Sequence, residues 1–151
     1  MSFPLHRAHL LGAALTLLAH SAVMAQADAL AKAAAEAGAV VTPSGLVFRS
    51  LKDGTGASPA ATDTVKVHYR GTFPDGREFD SSIKRGQPAS FPLNGVIKCW
   101  TEGVQKIKVG GKAKLTCPAA IAYGDRGAGG GEIPPGAILQ FEVELLGING
   151  K

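Results

Sequence analysis

The sequence predicts an α+β fold in which a curved antiparallel β-sheet of about five strands wraps around one short α-helix. Apolar residues recur at every second position in several segments, which is typical of strands with one buried face. One segment near residue 100 changes to helical spacing, and its apolar stripe must pack against that buried face. Glycine is frequent, at 20 of 151 residues, and provides for many turns.

Residues 1–25 have the layout of a secretory signal peptide. Arg7 gives a basic start, an apolar run extends from Leu10 to Leu18, and small residues follow. The run is too short to cross a bilayer, and no Cys near the junction could carry a lipid. Cleavage is predicted after Ala25, with Ala27 as the second choice. The alternatives are an uncleaved anchor or a cytosolic amphipathic helix.

Residues 26–44 form an Ala-rich leader, for which a frayed helix and a flexible tail are equally compatible with the composition. The stretch TPSG at 42–45 marks the entry to the compact domain, predicted over residues 45–148.

Within that domain LVFRSL predicts an edge strand, and TVKVHYRGTF alternates, with Val65, Val67 and Tyr69 on one face. His68 falls on the opposite, charged face. The turn PDG at 74–76 and the returning segment REFDSS predict a hairpin, and ASFPL at 89–93 a further short strand.

The segment VIKCWTEGVQKIKVGG predicts the one helix of the domain. Val96, Trp100, Val104 and Ile107 lie at helical spacing, and Gly110 and Gly111 supply a C-terminal stop. KAKLTCP then alternates, and ILQFEVELLGI turns Leu139, Phe141, Val143 and Leu145 inward.

The composition excludes several classes of function. Without residues 1–25 the chain keeps one histidine, His68, which is too few for a conventional zinc site made with Cys99 and Cys117. No G-x-S-x-G elbow accompanies it. Without Arg7 the 16 basic residues become 15, against 12 acidic ones, so the net charge is only +3. No basic stripe with interleaved aromatic residues points to nucleic-acid binding.

Six inward-facing aromatic residues come from separate segments: Tyr69, Phe79, Phe91, Trp100, Tyr123 and Phe141. They suit either a core or an apolar ligand pocket. Tyr123 lies in the Gly- and Pro-rich stretch AYGDRGAGGGEIPPG, where a packed core is not expected, and this favours a pocket. In DGREFDSS the neighbours Phe79 and Asp80 could form a pocket wall, a catalytic acid or a metal loop. The acids needed for an EF-hand are absent.

YRGTFPDGREFDSS, PLNGVIKCWTEGVQKIKVGGKAKLTCP, AYG and IPPGAILQFEVELL occur in this order across residues 45–148. In these motifs the chain resembles the FKBP-type peptidyl-prolyl cis-trans isomerases, the macrolide-binding immunophilins, of the secreted bacterial type. The resemblance implies an FKBP-like fold, isomerisation of X-Pro bonds in proline-containing, unfolded or partly folded polypeptides, and no cofactor. It implies a periplasmic or secreted protein. A monomer is expected because the helical dimerisation arm of larger members is missing.

The resemblance also assigns the pocket. It places Tyr69, Phe79, Asp80, Ile97, Trp100, Tyr123 and Phe141 at the reacting peptide, with Val96, Ile133 and Phe91 as further substrate-binding residues. It makes Phe79 a wall and Asp80 a carboxylate at the rim. The Ile97 N–H and the Tyr123 hydroxyl would hold substrate carbonyls.

Two departures from the family pattern bear on ligands. Ala89 stands where many members carry a pocket Phe, and Glu132 where an apolar residue is common. Both make the pocket more open, so tight macrolide binding is a weaker expectation than isomerase activity. A non-catalytic chaperone or peptide-binding module that uses the same cleft is the alternative.

Cys99 and Cys117 are the only cysteines of a chain predicted to reach an oxidising compartment. A disulfide between them and two separate thiols both stay open at the level of sequence, because pairing requires the start of the helix to lie over the strand of Cys117.

Overall fold

The computed structural model describes residues 27–149, so the predicted signal peptide lies outside the described residues. Helix α1 covers residues 27–34. Strands follow as β1 (Ala39–Val41), β2 (Val47–Lys52), β3 (Thr64–Thr72), β4 (Glu78–Ser81), β5 (Ala89–Pro92), β6 (Lys112–Cys117) and β7 (Leu139–Ile148). Helix α2 (Ser82–Arg85) follows β4, and helix α3 (Lys98–Val104) lies between β5 and β6. None of the helices in this described range is long and apolar enough to cross a membrane.

The strands form one antiparallel sheet in the order β1-β2-β6-β7-β3-β4, with β5 also paired to β3. The α+β class, the curved sheet and the alternation of β3 and β7 are confirmed: Val65, Val67 and Tyr69 are buried, as are Phe141 and Val143. The strand number was underestimated, because seven strands are present among the described residues.

Two of the differences concern the start of the sheet. The strand β1, at Ala39–Val41, pairs with β2, so the sheet begins before the boundary predicted at Gly45. The sequence predicted β2 as an edge strand. This prediction is wrong, because β1 pairs with β2 and forms the edge instead. The leader is helical over residues 27–34, and its Ala33 is buried at 3 % exposure. Three residues, of which Val40 and Val41 are exposed, are too short a segment to predict a strand.

Helix α3 ends at Val104, before Ile107 and before the stop predicted at Gly110. After it, the N–H groups of Lys106 and Ile107 bond to the carbonyls three residues back, of Gly103 and Val104. The chain therefore continues as a tight turn, and Ile107 still reaches the core at 3 % exposure. Gly110, predicted as a helix stop, lies instead in the loop before β6 at φ +92° and bonds to Leu145.

Strand β3 carries β4 on one half of its edge and β5 on the other. Thr64–Val67 pair with β5, whereas Arg70–Thr72 pair with β4. The four-residue helix α2 begins in the gap between the two pairings. Ser81 is its N-cap and accepts a hydrogen bond from the Lys84 N–H at 3.1 Å, and Gly86 ends it at φ +75°.

A disulfide joins Cys99 in α3 to Cys117 in β6, and both residues are fully buried. The bond holds the helix that carries Trp100 against the inner face of the sheet. It closes a loop of 18 residues, for which chain entropy gives a stabilisation of about 3 kcal/mol.

We therefore expect the native protein, alkylated in denaturant without reductant, to gain no mass, and to gain two alkyl groups after reduction. The double replacement Cys99→Ala with Cys117→Ala should lower the free energy of unfolding by about 3 kcal/mol in urea titrations. Modification of both cysteines before reduction would contradict the disulfide.

Candidate functional site: a pocket walled by aromatic rings

A cavity of about 440 Å³ opens between α3, the hairpin β3–β4, β5 and the loop after β6. Its lining contains nine of the ten predicted site residues together with Gly95: Tyr69, Phe79, Asp80, Phe91, Val96, Ile97, Trp100, Tyr123 and Phe141. The tenth, Ile133, is buried at 7 % exposure and lines an adjoining cavity that shares Phe79, Asp80 and Tyr123. The described residues thus contain an aromatic pocket in addition to the core.

Trp100 lies at the base of the pocket with three rings packed edge-on around it. Its ring centroid is 5.3 Å from that of Tyr69, 5.5 Å from Phe91 and 5.4 Å from Phe141, at interplanar angles of 85–88°. This is the favoured geometry for aromatic pairs. The indole is only 4 % exposed.

Phe79 completes the wall because of an irregularity in β4. Gly71 pairs with Asp80 and Thr72 with Glu78, so Phe79 is an extra residue opposite that step of β3. Successive side chains of a regular strand point to opposite faces, and a bulge of this kind redirects one of them. Phe79 and Asp80 therefore both line the pocket.

The space for the Phe79 ring is provided by a glycine. A Cβ added at Gly71 would lie 2.6 Å from Cζ of Phe79 and 3.0 Å from Cε1 of Phe141. The two rings stand 5.6 Å apart, nearly perpendicular. The absent side chain at Gly71 thus lets both rings approach the strand.

The carboxylate of Asp80 is held by two donors. The Tyr69 hydroxyl donates to one oxygen, and the Arg85 guanidinium donates to the other at 2.5 Å and to the Tyr69 oxygen at 3.1 Å. Sequence reasoning missed Arg85. The cap pair Ser81 and Gly86 was the available signal, because it predicts the short helix that carries this residue.

The network sets the ionisation of the site. Burial by itself would raise the pKa of Asp80, but the hydrogen bonds from Tyr69 and Arg85 outweigh it and hold that pKa below its usual value. Burial, followed by the hydrogen bond to Asp80, raises the pKa of the Tyr69 phenol. Asp80 is thus an anion and Tyr69 a neutral donor through the neutral pH range, so neither suits proton transfer there.

His68 lies outside the pocket, on the other face of β3, and its Nδ1 is 3.0 Å from Oγ of Ser82. Two predicted carbonyl-binding groups lie at the rim. Ile97 is the N-cap residue of α3, where backbone N–H groups have no intrahelical partner, and Tyr123 is 39 % exposed.

The fold and this pocket define a class of protein: a half-open antiparallel sheet with an aromatic pocket that has an indole at its base and hydrogen-bonding groups at its rim. The sequence profile of the FKBP-type peptidyl-prolyl cis-trans isomerases matches residues 56–146. The chain belongs to this family.

Individual relatives agree. The chain is 56 % identical over 119 residues to the FKBP-type peptidyl-prolyl cis-trans isomerase FkpA of Aeromonas hydrophila, covering 79 % of this chain and 44 % of the relative. The crystal structure of FkpA from Escherichia coli superposes with a TM-score of 0.81 at 44 % identity, covering 90 % of this chain and 63 % of that one. An isomerase structure from Pseudomonas syringae gives 0.78 at 37 % identity, covering 85 % and 94 %. The chain spans about half the length of the curated relatives it matches.

Because Asp80 and Tyr69 do not change charge near neutrality, we expect kcat/KM for an uncharged proline peptide to be flat from about pH 5 to pH 9. Because folding lowers the pKa of Asp80, the stabilisation from its ion pair is fully present above the pKa of the unfolded state, near 3.9. This stabilisation is lost as the pH falls through the lower pKa of the folded state. Activity should therefore decline only in strong acid. A step in the profile between pH 5 and pH 9 would instead show that a group other than Asp80 and Tyr69 controls the activity.

Proposed function

We propose that this protein accelerates cis-trans isomerisation of X-Pro bonds in polypeptides, with the proline ring seated on Trp100. The observation that carries the proposal is the set of rings packed around the indole, in a cavity of about 440 Å³, with helix N-cap and tyrosine hydroxyl groups at its rim. Its size and ring lining suit a pyrrolidine with its flanking peptide groups.

The chemistry asks little of the protein in reactive groups. Rotation about the X-Pro bond breaks amide resonance, at a cost of about 18–20 kcal/mol, and neither makes nor cuts a covalent bond. Cis lies only about 0.5–1 kcal/mol above trans, so both isomers are present as substrates. A site accelerates the exchange if it binds the twisted amide more tightly than either planar form.

The pocket supports such a preference in two ways. A twisted amide has less charge separation than a planar one. An apolar surround made by Tyr69, Phe79 and Phe141 therefore disfavours the twisted form less than the planar form. In addition, the Ile97 N–H and the Tyr123 hydroxyl can hold the carbonyls on either side while the bond turns. Lowering the barrier by about 7 kcal/mol corresponds to five orders of magnitude in rate.

Asp80 acts in this scheme without moving a proton. Arg85 and Tyr69 hold it, so its charge is fixed beside the pocket and orients the phenol ring that forms one wall. A fixed charge that need not reorganise during rotation is the form of electrostatic assistance expected at such a site.

The deciding experiment is a proline-peptide isomerisation assay on the purified protein. Exchange rates for a peptide such as Ala-Leu-Pro-Phe, measured by NMR line shapes or by coupled proteolysis, should rise in proportion to protein concentration. A rate that stays at the uncatalysed value, with the peptide nevertheless bound, would make the protein a peptide-holding chaperone that uses the same cleft.

We further propose that residues 1–25 direct export, that the protein acts as a monomer in the bacterial periplasm, and that it assists folding of exported proteins there. The buried disulfide supports an oxidising compartment. A periplasmic extract should contain a chain that begins at Gln26 or Asp28. Macrolides are expected to inhibit weakly, because Ala89 stands where many members of the family carry a pocket Phe and Glu132 stands where an apolar residue is common.

A further inference from the structure

A second cavity, of about 370 Å³, adjoins the proline pocket. It shares Phe79, Asp80 and Tyr123 with that pocket, and its far side is made by the loop that follows Tyr123. The residues on this side are Ala128, Gly129, Glu132 and Ile133. A peptide whose proline sits on Trp100 would therefore place a flanking side chain at or in this cavity, called here the flanking subsite.

The loop holds Glu132 at the flanking subsite through a small hairpin. Ala128 and Ile133 exchange two backbone hydrogen bonds, each of 3.0 Å, and the Glu132 N–H bonds to the Gly129 carbonyl at 3.3 Å. Gly127 lets the returning backbone pass closely, since a Cβ there would lie 2.2 Å from the Ile133 carbonyl oxygen. Glu132 is thus placed next to buried Ile133 at the cavity wall.

The subsite carries one negative charge that nothing in the described part of the chain compensates. Asp80 is already paired with Arg85, whereas Glu132 makes no ion pair with any residue in the described range. The lining contains no lysine or arginine. Arg126 belongs to the same loop but is exposed and does not line the cavity.

Apolar walls and a single carboxylate are the complement of a lysine or arginine side chain. The methylene stem of such a residue can lie on Ile133 and Ala128 while its charged end stays near Glu132 and water. An acidic side chain would instead meet an uncompensated like charge.

We propose that Glu132 is a specificity-determining residue that favours substrates with lysine or arginine beside the proline. The proposal depends on the isomerase function given above, and it assigns to that activity a preference for basic segments of unfolded chains.

The test compares peptides matched in size. Tetrapeptides with lysine, norleucine or glutamate immediately before the proline, and a second set with these residues immediately after it, are assayed at low and high salt. For at least one of the two positions, kcat/KM of the purified protein should be about two- to fivefold higher for lysine than for norleucine, and lowest for glutamate. The advantage should shrink in 0.5 M salt, since exposed charges are then screened.

Glu132→Gln preserves the shape of the residue, so it should bring lysine and norleucine peptides to equal kcat/KM, and Glu132→Lys should reverse the order toward glutamate. Asp125→Asn is the control, because it removes an exposed carboxylate of the same loop that does not line the subsite. It should leave the lysine preference unchanged.

Equal rates for lysine and norleucine peptides at both positions, or a preference that survives in Glu132→Gln, would overturn the proposal while leaving the isomerase activity intact. Failure to accelerate any peptide would refute the proposed function itself. The two failures are thus distinguishable.

Discussion

Replacing Trp100 by alanine is expected to lower the free energy of unfolding by about 3–5 kcal/mol and to abolish most of the proposed isomerase activity. The indole is buried at 4 % exposure and packs on Tyr69, Phe91 and Phe141. Its removal leaves a large void that three rings from three strands can fill only by moving away from the pocket. Urea titration should show the loss in stability, and NMR exchange with a proline peptide the loss in turnover.

The matched control is Trp100→Phe. The indole Nε1–H is buried and has no hydrogen-bond partner among the described residues. Phenylalanine removes this unpaired donor, whose desolvation costs about 1–3 kcal/mol, and this gain offsets part of the lost packing. We expect stability within about 1 kcal/mol of the parent and substantial activity. An alanine variant as stable as the parent would refute the central position of the indole.

Replacing Phe79 by alanine is expected to reduce kcat/KM by about ten- to a hundredfold while the fold persists. The Phe79 side chain is only partly buried, and its ring centroid lies 5.6 Å from that of Phe141 and 5.1 Å from that of Phe73. Fewer core contacts therefore depend on this ring than on the indole. The main effect of the substitution is to remove one apolar wall of the proline pocket. Removing about 1.5–3 kcal/mol of apolar burial from the bound proline corresponds to that range of rates.

His68→Ala is the control for this variant, because it alters the opposite face of the neighbouring strand. It removes the contact with Ser82 but leaves the pocket lining intact, so kcat/KM should stay within about twofold of the parent. Loss of activity in His68→Ala with retention in Phe79→Ala would show that the pocket assignment is wrong. Circular dichroism of both variants separates loss of activity from loss of fold.

The regular elements were the most predictable part of this protein. Strand β3 alternates over all of its 9 residues and β7 alternates from Leu139 to Leu145, and each buries its predicted face. The period of two is a direct consequence of the strand geometry, so local sequence suffices to identify it. The fold class followed, because a sheet with one apolar face and a helix with one apolar stripe have few ways to pack.

Short elements were missed for the same reason. Strand β1 has three residues, and helix α2 has four, so neither displays a full period. Their existence depends on partners elsewhere: β1 on the free edge of β2, and α2 on the gap between β4 and β5 along β3. With α2, Arg85 and its pairing to Asp80 were also missed.

The sequence by itself determined which aromatic residues this protein has, that Tyr69 and Phe141 lie on the buried faces of β3 and β7, and the family to which the chain belongs. Only the tertiary structure decided how they converge. The bulge that turns Phe79 toward the pocket arises where β3 and β4 fall out of step, and Gly71 makes room for that ring only because two other strands bring Phe79 and Phe141 against it. Side-chain periodicity is a local property of the backbone, whereas register and ring packing depend on residues far apart in the chain.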